Sequence, residues 1–459
     1  MRVPRDFLWG AGTSAYQVEG GVQEGGRGPS IWDTFSHTPG RIANDEHADV
    51  TADHYHRWAE DIDLMAELGL GAYRFSIAWP RIQPDGRGAI EAAGIAFYDR
   101  LIDRLLEKGV EPCPTLYHWD LPEALEAGGG WLGRDTTDRF ADYATACFEA
   151  FGDRVRTWFT VNEPWVAATL GYRLGLHAPG RRDLGLAIEA AHHLLLGHGR
   201  AVEAFRASGR PGRIGPVLSL FPTYPATDGP EDRAAAQGSE GYTNRWFLDA
   251  ILHGRYPSEM VQLFERLTGP LAVIQDGDAA IVASPVDLVG INYYTRRVVA
   301  AGTGDSALPW TVRPPAVDVE HTDSGWESTP DALADLLLGI RAEYGEVALL
   351  ITENGGVFLD APAPDGRIAD TGRVRFLESH LEALQRAIDA GVPVQGYFHW
   401  SLLDNFEWAE GYRSRFGLIH VDFPSGRRLI KDSGRAYAAI IERSRAASDA
   451  LSAPADPAR

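Results

Sequence analysis

Short apolar runs rich in β-branched and aromatic residues recur along the chain, and most are followed by a stretch in which apolar positions repeat every three to four residues. The first pattern reads as a buried strand and the second as an amphipathic helix packed on it. Eight such runs lie near Leu8 to Ala15, Ala72 to Trp79, Pro112 to Trp119, Thr157 to Glu163, Ile214 to Leu220, Leu288 to Tyr294, Ala348 to Glu353 and Gly396 to Leu402. Between them, Tyr55, Ala59, Ile62 and Met65 share a helical face until Gly69 ends the pattern, and Phe97, Leu101 and Leu105 do the same before Gly109. Repeated strand–helix units predict an α/β fold with one closed (β/α)8 barrel and elaborated loops after the strands. One catalytic barrel domain is expected over residues 1–445, with a flexible tail over 446–459, where Ala, Ser, Asp and Pro dominate. The Pro-, Gly-, Thr- and Asp-rich stretch 301–330 reads as a long loop after the sixth strand; as a linker it would leave the last two runs to fold as a fragment.

A length of 459 residues alone would suggest about three domains, but barrels escape that rule. With 44% hydrophobic and 10% aromatic residues the chain has ample material for one large core. A net charge of −21 repels nucleic acid and anionic membranes, so neither is expected as a partner, and a small neutral ligand fits better. Lys108 and Lys431 are the lysines in a chain whose other basic residues are Arg, a bias of composition rather than of phosphate recognition. The N-terminus shows no basic segment followed by an apolar stretch, and no apolar run approaches the length of a membrane span, so a cytoplasmic protein is expected. Cys113 in a strand-like run and Cys147 on an apolar helix face read as buried thiols of a reducing compartment.

In a barrel of this kind chemistry collects at the C-terminal ends of the strands. Those ends are unusually polar and aromatic here: Gln17 and Glu19 after the first, Arg74 on the second, Tyr117-His118-Trp119-Asp120 on the third, and Asn162-Glu163 on the fourth. The sixth carries Asn292-Tyr293-Tyr294, the seventh Glu353-Asn354, the eighth His399-Trp400, with Asp404, Asn405, Glu407 and Trp408 shortly after. Glu163 and Glu353, each beside an Asn at a strand end, have the layout of a two-carboxylate glycosidase, in which one group protonates the leaving oxygen and the other attacks the anomeric carbon. A separation of about 5–5.5 Å would give retention and a wider one inversion. The carboxylate beside Arg74 should ionise while the other keeps its proton. Gln17, His118, Asn162 and Glu407 suit sugar hydroxyls, and Trp119, Trp400 and Trp408 suit the ring's CH faces. Trp9, Trp32 and Trp58 read as packing. Neither His54 and His56 nor His192, His193 and His198 carry a metal-site spacing, so no metal and no cofactor is expected.

These residues stand in longer motifs: Ser-Ala-Tyr-Gln-Val-Glu-Gly (14–20), Tyr-Arg-Phe-Ser (73–76), Tyr-His-Trp-Asp-Leu-Pro (117–122), Asn-Glu-Pro (162–164), Asn-Tyr-Tyr (292–294), Thr-Glu-Asn-Gly (352–355) and Asp-Asn-Phe-Glu-Trp (404–408). Through them the chain resembles the family 1 glycoside hydrolases, the β-glucosidase group, from Phe7 to Leu418. The resemblance implies a retaining exo-β-glycosidase that releases terminal unphosphorylated β-glucosyl residues from cellobiose or aryl glucosides. It makes Glu163 the acid/base and Glu353 the nucleophile, supported by Arg74, Tyr294 and Asn292. Gln17, His118, Trp119, Asn162, Trp400, Glu407 and Trp408 would bind the sugar, with Trp326 on the leaving-group side. An anionic Glu407 would repel a phosphorylated sugar. A cis peptide between Trp400 and Ser401 is also implied. One departure is Ser219, in Leu218-Ser219-Leu220, where many relatives carry an Asn that contacts the leaving group; a Ser could recruit water there. A β-galactosidase or β-fucosidase preference on the same machinery is the enzyme alternative. A sugar-binding pseudoenzyme is disfavoured by the presence of both glutamates, and a metal-dependent barrel hydrolase by the lack of a His cluster at strand ends. Oligomeric state is left open.

Overall fold

The computed structural model describes residues 1–303 and 307–452. Its strands, numbered along the chain, are β1 (Leu8–Gly12), β2 (Ala72–Ser76), β3 (Glu111–Tyr117), β4 (Thr157–Asn162), β5 (Arg213–Ser219), β6 (Thr223–Pro225), β7 (Val289–Asn292), β8 (Arg297–Ala301), β9 (Trp310–Val312), β10 (Leu349–Asn354), β11 (Val394–Trp400), β12 (Ile419–Asp422) and β13 (Arg427–Ile430). The eight expected runs become β1, β2, β3, β4, β5, β7, β10 and β11, which close into a parallel barrel in the order β1-β11-β10-β7-β5-β4-β3-β2. Helices such as Ala92–Glu107, Asp135–Phe151, Leu184–Ser208 and Thr371–Asp389 connect successive strands and bury their apolar faces on the outside of the ring. No helix among the described residues is long and apolar enough to cross a membrane.

Side chains on a strand alternate between the two faces, so each barrel strand sends every second residue inward. The inward set of the lower layer is apolar: Ala72, Cys113, Phe159, Val217, Leu288, Leu350 and Phe398 form a cluster of their own, separate from the larger core between strands and helices. Arg74, two residues beyond Ala72 on the same face, opens the polar layer above it, with its guanidinium 5.6 Å from the Phe159 ring. Cys113 therefore fills the barrel interior and Cys147 the outer core, both as free buried thiols.

Among the register shifts of the barrel, two lie next to the glutamates. Along β4, Phe159 pairs with Gly215 of β5 but Asn162 pairs with Val217, three residues against two. Along β10, Ile351 pairs with Ile291 of β7 but Glu353 pairs with Asn292, two against one. Such bulges re-aim side chains at barrel rims. Val161 is thus turned into the outer core, while Asn162 and Glu353 join the polar interior.

Two expectations change. The stretch after the sixth barrel strand is not all loop: β6, β8 and β9 make a small sheet beside the barrel mouth, with Val299 to Ala301 paired to Trp310 to Val312. The last helix, Asp432–Ser452, continues past residue 446, and Ser444 and Ser448 anchor it through their hydroxyls to the carbonyls of Met1 and Val3. Residues 453–459 of the expected tail lie outside the described residues.

Candidate active site

The polar layer is organised by Arg74, which is fully buried. Its Nη1 meets Glu353 Oε1 at 2.6 Å, its Nη2 donates to Asn162 Oδ1 at 2.6 Å, and its Nε donates to Thr115 Oγ1 at 3.2 Å. Asn162 Oδ1 also accepts from Asn292 Nδ2 at 3.2 Å, and that same amide donates to Glu163 Oε1 at 2.9 Å. Thr352 Oγ1 fixes the other end of Asn292 by donating to its Oδ1 at 2.7 Å. A continuous chain, Glu353–Arg74–Asn162–Asn292–Glu163, therefore ties the two carboxyl groups to one rigid frame. Asn292 donates to Glu163 and Asn162 and also lies near enough to Glu353 to favour that group's ionised form. Tyr294 donates to Glu353 Oε2 at 2.5 Å.

Backbone geometry holds these groups in place. Glu163 has φ +47°, Trp119 φ +78° and Trp408 φ +50°, all in the left-handed region that side-chain-bearing residues rarely adopt. Each costs on the order of 1–3 kcal/mol and persists only where the surroundings over-determine it. Pro164 begins a short helix directly after Glu163, so the strand turns away at the glutamate and leaves its carboxyl at the rim. Gly355 is required by contact rather than by φ: a Cβ there would stand 1.9 Å from the carbonyl oxygen of Trp400. The peptide between Trp400 and Ser401 is cis.

Above this frame lies a cavity of about 580 Å³. Glu163, Glu353, Tyr294, His118, Trp119, Trp400, Glu407, Trp408, Trp326 and Ser219 line it. Arg74, Asn162, Asn292 and Gln17 stand behind them and bond to the lining groups. Gln17 Nε2, for instance, donates to Glu407 Oε2 at 3.1 Å while its Oε1 accepts from Ser14 at 2.7 Å. Trp119 Nε1 donates to the Asn162 carbonyl at 2.9 Å, and its ring packs on Trp408 at 4.5 Å. Trp32 backs Trp408 from the other side, also at 4.5 Å. Trp326 is 38% exposed at the rim, edge-on to Tyr294 at 5.4 Å. Sequence reasoning passed over Trp165, His177, Phe221, Arg296, Arg297 and Phe416, which also line the cavity. Trp165 alone carried a signal, standing two residues after Glu163; His177, Phe221, Arg296 and Phe416 sit on loops and Arg297 opens the short strand β8. A larger groove of about 1060 Å³ runs outside the barrel, but its Glu240 and Glu259 are tied to Arg245.

Burial dominates the electrostatics. It pushes Glu163 up to about 8, with the charge of Glu353 adding to the rise and Asn292, Arg74 and Ser219 opposing it. Burial raises Glu353 too, but there Arg74, Tyr294 and Asn292 all favour the ionised form. Glu407 is pushed up to about 8 by burial and by Glu353, which runs against the expectation of a fixed anion there. Burial, then Arg74, holds His118 well below its usual range. The imidazole is therefore neutral. Because Asn162 Oδ1 already accepts from two donors, its Nδ2 points at His118 Nε2 at 3.1 Å, which leaves the ring proton on Nδ1. That Nδ1 is buried without a protein partner among the described residues. The other histidines considered have structural partners: His54 bonds Asp61 at 2.7 Å, His56 bonds Asp53 and Glu24, His192 bonds Asp278 at 2.9 Å, and His198 bonds Thr160 at 2.7 Å.

Comparison with known proteins gives the same picture over the whole chain. The family model for glycosyl hydrolase family 1 matches residues 1–446. The chain is similar to the β-glucosidase A of Acetivibrio thermocellus, 45% identical over 439 residues, covering 96% of this chain and 98% of that protein. Among solved structures it is similar to the AHE enzyme of Alicyclobacillus herbarius, with TM-score 0.95, 47% identity and 97% and 98% of the two chains covered. It is similar as well to the family 1 β-glucosidase of Exiguobacterium antarcticum, with TM-score 0.94, 44% identity and 97% and 99% covered.

Proposed function

The chain belongs to glycosyl hydrolase family 1, and on that premise we propose that it is a retaining exo-β-glucosidase with Glu353 as nucleophile and Glu163 as acid/base. The observation that carries this reading is the joined pair of buried carboxyl groups, one bound by a guanidinium and a phenol, the other protonated up to about pH 8. In the first step the Glu353 carboxylate attacks the anomeric carbon, the bond to the leaving oxygen breaks, and the Glu163 proton passes to that oxygen. Esterification removes the charge of Glu353, which was one of the causes raising Glu163, so Glu163 becomes more acidic. Now ionised, it takes a proton from water while the water oxygen attacks the anomeric carbon and frees Glu353.

Asn162 is assigned to the sugar's 2-hydroxyl, and the His118 Nδ1–H, Gln17 and Glu407 to the remaining hydroxyls. Trp119, Trp400 and Trp408 form the surface against the ring. Trp326 and Ser219 border the leaving group. Glu407 supports an unphosphorylated sugar, since its one hydrogen-bond partner is the neutral amide of Gln17 and no lysine or arginine is bonded to either residue among the described residues. Cellobiose and aryl β-glucosides are the substrates this pocket fits. We read residues 1–445 as one catalytic domain acting on small neutral glycosides, and two buried thiols with no disulfide between them support a cytoplasmic setting.

The test is Glu353→Ala, which should abolish turnover of aryl β-glucosides and, with azide, yield the α-glucosyl azide. Rescue giving the β-azide, or wild-type turnover of an aryl β-glucoside giving α-glucose as the first-formed anomer, refutes the assignment. In a panel of nitrophenyl glycosides, a galactoside or fucoside turned over faster than the glucoside would move the preferred epimer but leave the mechanism.

A further inference from the structure

At the outer lip of the barrel, away from the carboxyl pair, two histidines and an aspartate converge from segments ten residues apart. His37 is the cap at the end of helix Ile31–Ser36, and His47 and Asp49 lie on the segment that follows. His37 Nε2 and His47 Nδ1 each stand 3.3 Å from the same oxygen, Asp49 Oδ2. Their rings face one another with centroids 4.8 Å apart, and the three donor atoms all lie within 4.8 Å of one another.

We propose that His37, His47 and Asp49 form a binding site for a divalent transition-metal ion of the zinc class. The distances favour an ion over plain hydrogen bonds. A charged His–carboxylate hydrogen bond closes to about 2.7–2.9 Å. Bonds of about 2.0–2.1 Å at the tetrahedral angle put neighbouring donors about 3.3 Å apart, which is the spacing seen twice here. The tautomer agrees as well. His37 Nδ1–H donates to the Asp33 carbonyl at 2.8 Å, so in the neutral ring Nε2 carries the lone pair that faces Asp49; the Asp33 carbonyl and Asp49 also favour the protonated ring, so an ion would bind there in competition with a proton. A backbone carbonyl holding the far nitrogen of a ligand histidine is the usual arrangement at metal sites. Asp49 Oδ1, the carboxylate oxygen not facing the histidines' nitrogens, has no protein hydrogen bond among the described residues, so no other protein group claims that carboxylate. Two imidazoles select zinc, cobalt, nickel or copper over magnesium or calcium. Three protein donors leave one position for water, and the half-exposed rings give the ion a path in.

The contrast within the same molecule is instructive. Asp360, Asp404 and His420 also converge, but Lys431 Nζ lies 2.8 Å from both aspartates and Arg415 Nη1 2.8 Å from Asp404, so protein cations already fill that space. No cation of the protein is bonded to Asp49 besides the two histidines among the described residues.

An ion here would join two elements that flank the sugar pocket. Helix Ile31–Ser36 carries Trp32, which packs on Trp408. The segment with His47 holds Tyr412, because Glu46 accepts from its amide at 2.7 Å and the His47 carbonyl accepts from its hydroxyl at 2.8 Å. Binding should therefore raise the melting temperature as well as occupy the site.

The test uses the full chain without a histidine tag, stripped with chelator, and titrated with cobalt(II). The wild type should show the intense visible absorption of tetrahedral cobalt at one equivalent, bleached by zinc, and a zinc-dependent rise in melting temperature. His37→Gln, His47→Gln and Asp49→Asn should each weaken binding by at least about tenfold while turning over an aryl glucoside as the wild type does. No tetrahedral absorption in the wild type, or absorption kept in all three variants, overturns the proposal. A variant that also loses turnover is set aside as misfolded, and the remaining two decide.

Discussion

Replacing Tyr294 by Phe isolates the control of Glu353 from every other feature of the pocket. The hydroxyl donates to Glu353 Oε2 at 2.5 Å, while the ring packs edge-on to Trp326 at 5.4 Å and Phe416 at 6.1 Å, contacts that Phe preserves. A hydrogen bond to a charged group is worth about 1.5–3 kcal/mol, and one pKa unit corresponds to about 1.4 kcal/mol. Glu353 is buried, so solvent does not screen the loss. The bond favours the ionised carboxylate, and removing it should raise the pKa of Glu353. With Glu353 as nucleophile and Glu163 as acid, as proposed, the free enzyme needs the first ionised and the second protonated, so kcat/KM should follow a bell whose acid limb belongs mainly to Glu353 and whose basic limb, near 8, belongs mainly to Glu163. Tyr294→Phe should move the acid limb up by about one to two units and leave the basic limb within about half a unit, narrowing the bell from one side. The assay is kcat/KM for a slow aryl glucoside from about pH 4 to 9. An acid limb that stays in place or moves down would show that the phenol does not set the charge on Glu353; equal movement of both limbs would point to a general change in the pocket.

Two further outcomes follow from burial and close contact. Glu163 is raised from its ordinary 4.5 to about 8, so the native state holds the extra proton and wild-type stability is full below about pH 4.5 and falls as pH rises toward 8. Glu163→Gln removes that titration; its melting temperature relative to wild type should climb by an amount on the order of a few kcal/mol of stability between pH 5 and pH 8, and a pH-independent difference would contradict the sign. Gly355→Ala would drive a methyl to 1.9 Å from the Trp400 carbonyl oxygen, a backbone atom with nowhere to yield. It should cost about 2 kcal/mol or more in denaturant unfolding and lower kcat/KM by displacing Trp400; near-wild-type stability would mean the two strand ends are looser than drawn.

The barrel was legible because its interior is apolar at one level on every strand, which makes each strand a recognisable run bounded by turns. The ends of those runs carry the polar and aromatic residues that gather at the cavity, so Glu163, Glu353, Arg74 and the tryptophans could be placed there from position. What the pattern hid was the pair of bulges. A period of two read through β4 would have kept Val161 inward, and only the three-against-two pairing with β5 turns Asn162 into the frame. The small sheet of β6, β8 and β9 escaped because its strands are three to five residues long and lie in Pro- and Gly-rich sequence. Helix Asp432–Ser452 was cut short in the reading because Ala- and Ser-rich composition resembles a tail, whereas Ser444 and Ser448 use their hydroxyls to tie it to the N-terminus. The protonation of Glu407 is a property of burial depth, which no spacing reveals.

The lower ring of Ala72, Cys113, Phe159, Val217, Leu288, Leu350 and Phe398 has a kinetic meaning. It plugs the barrel below the carboxyl groups, so a ligand of the cavity comes and goes past the strand ends. The fragment nearest the doorway departs first, water arrives along the lane it vacates, and the hexose, held deepest, is the last to go. On the proposed mechanism a free hexose returning by the same route would meet fresh substrate, and a crowded departing alcohol would meet the water bound for the glycosylated enzyme. Hydrolysis and synthesis are two directions through one entrance.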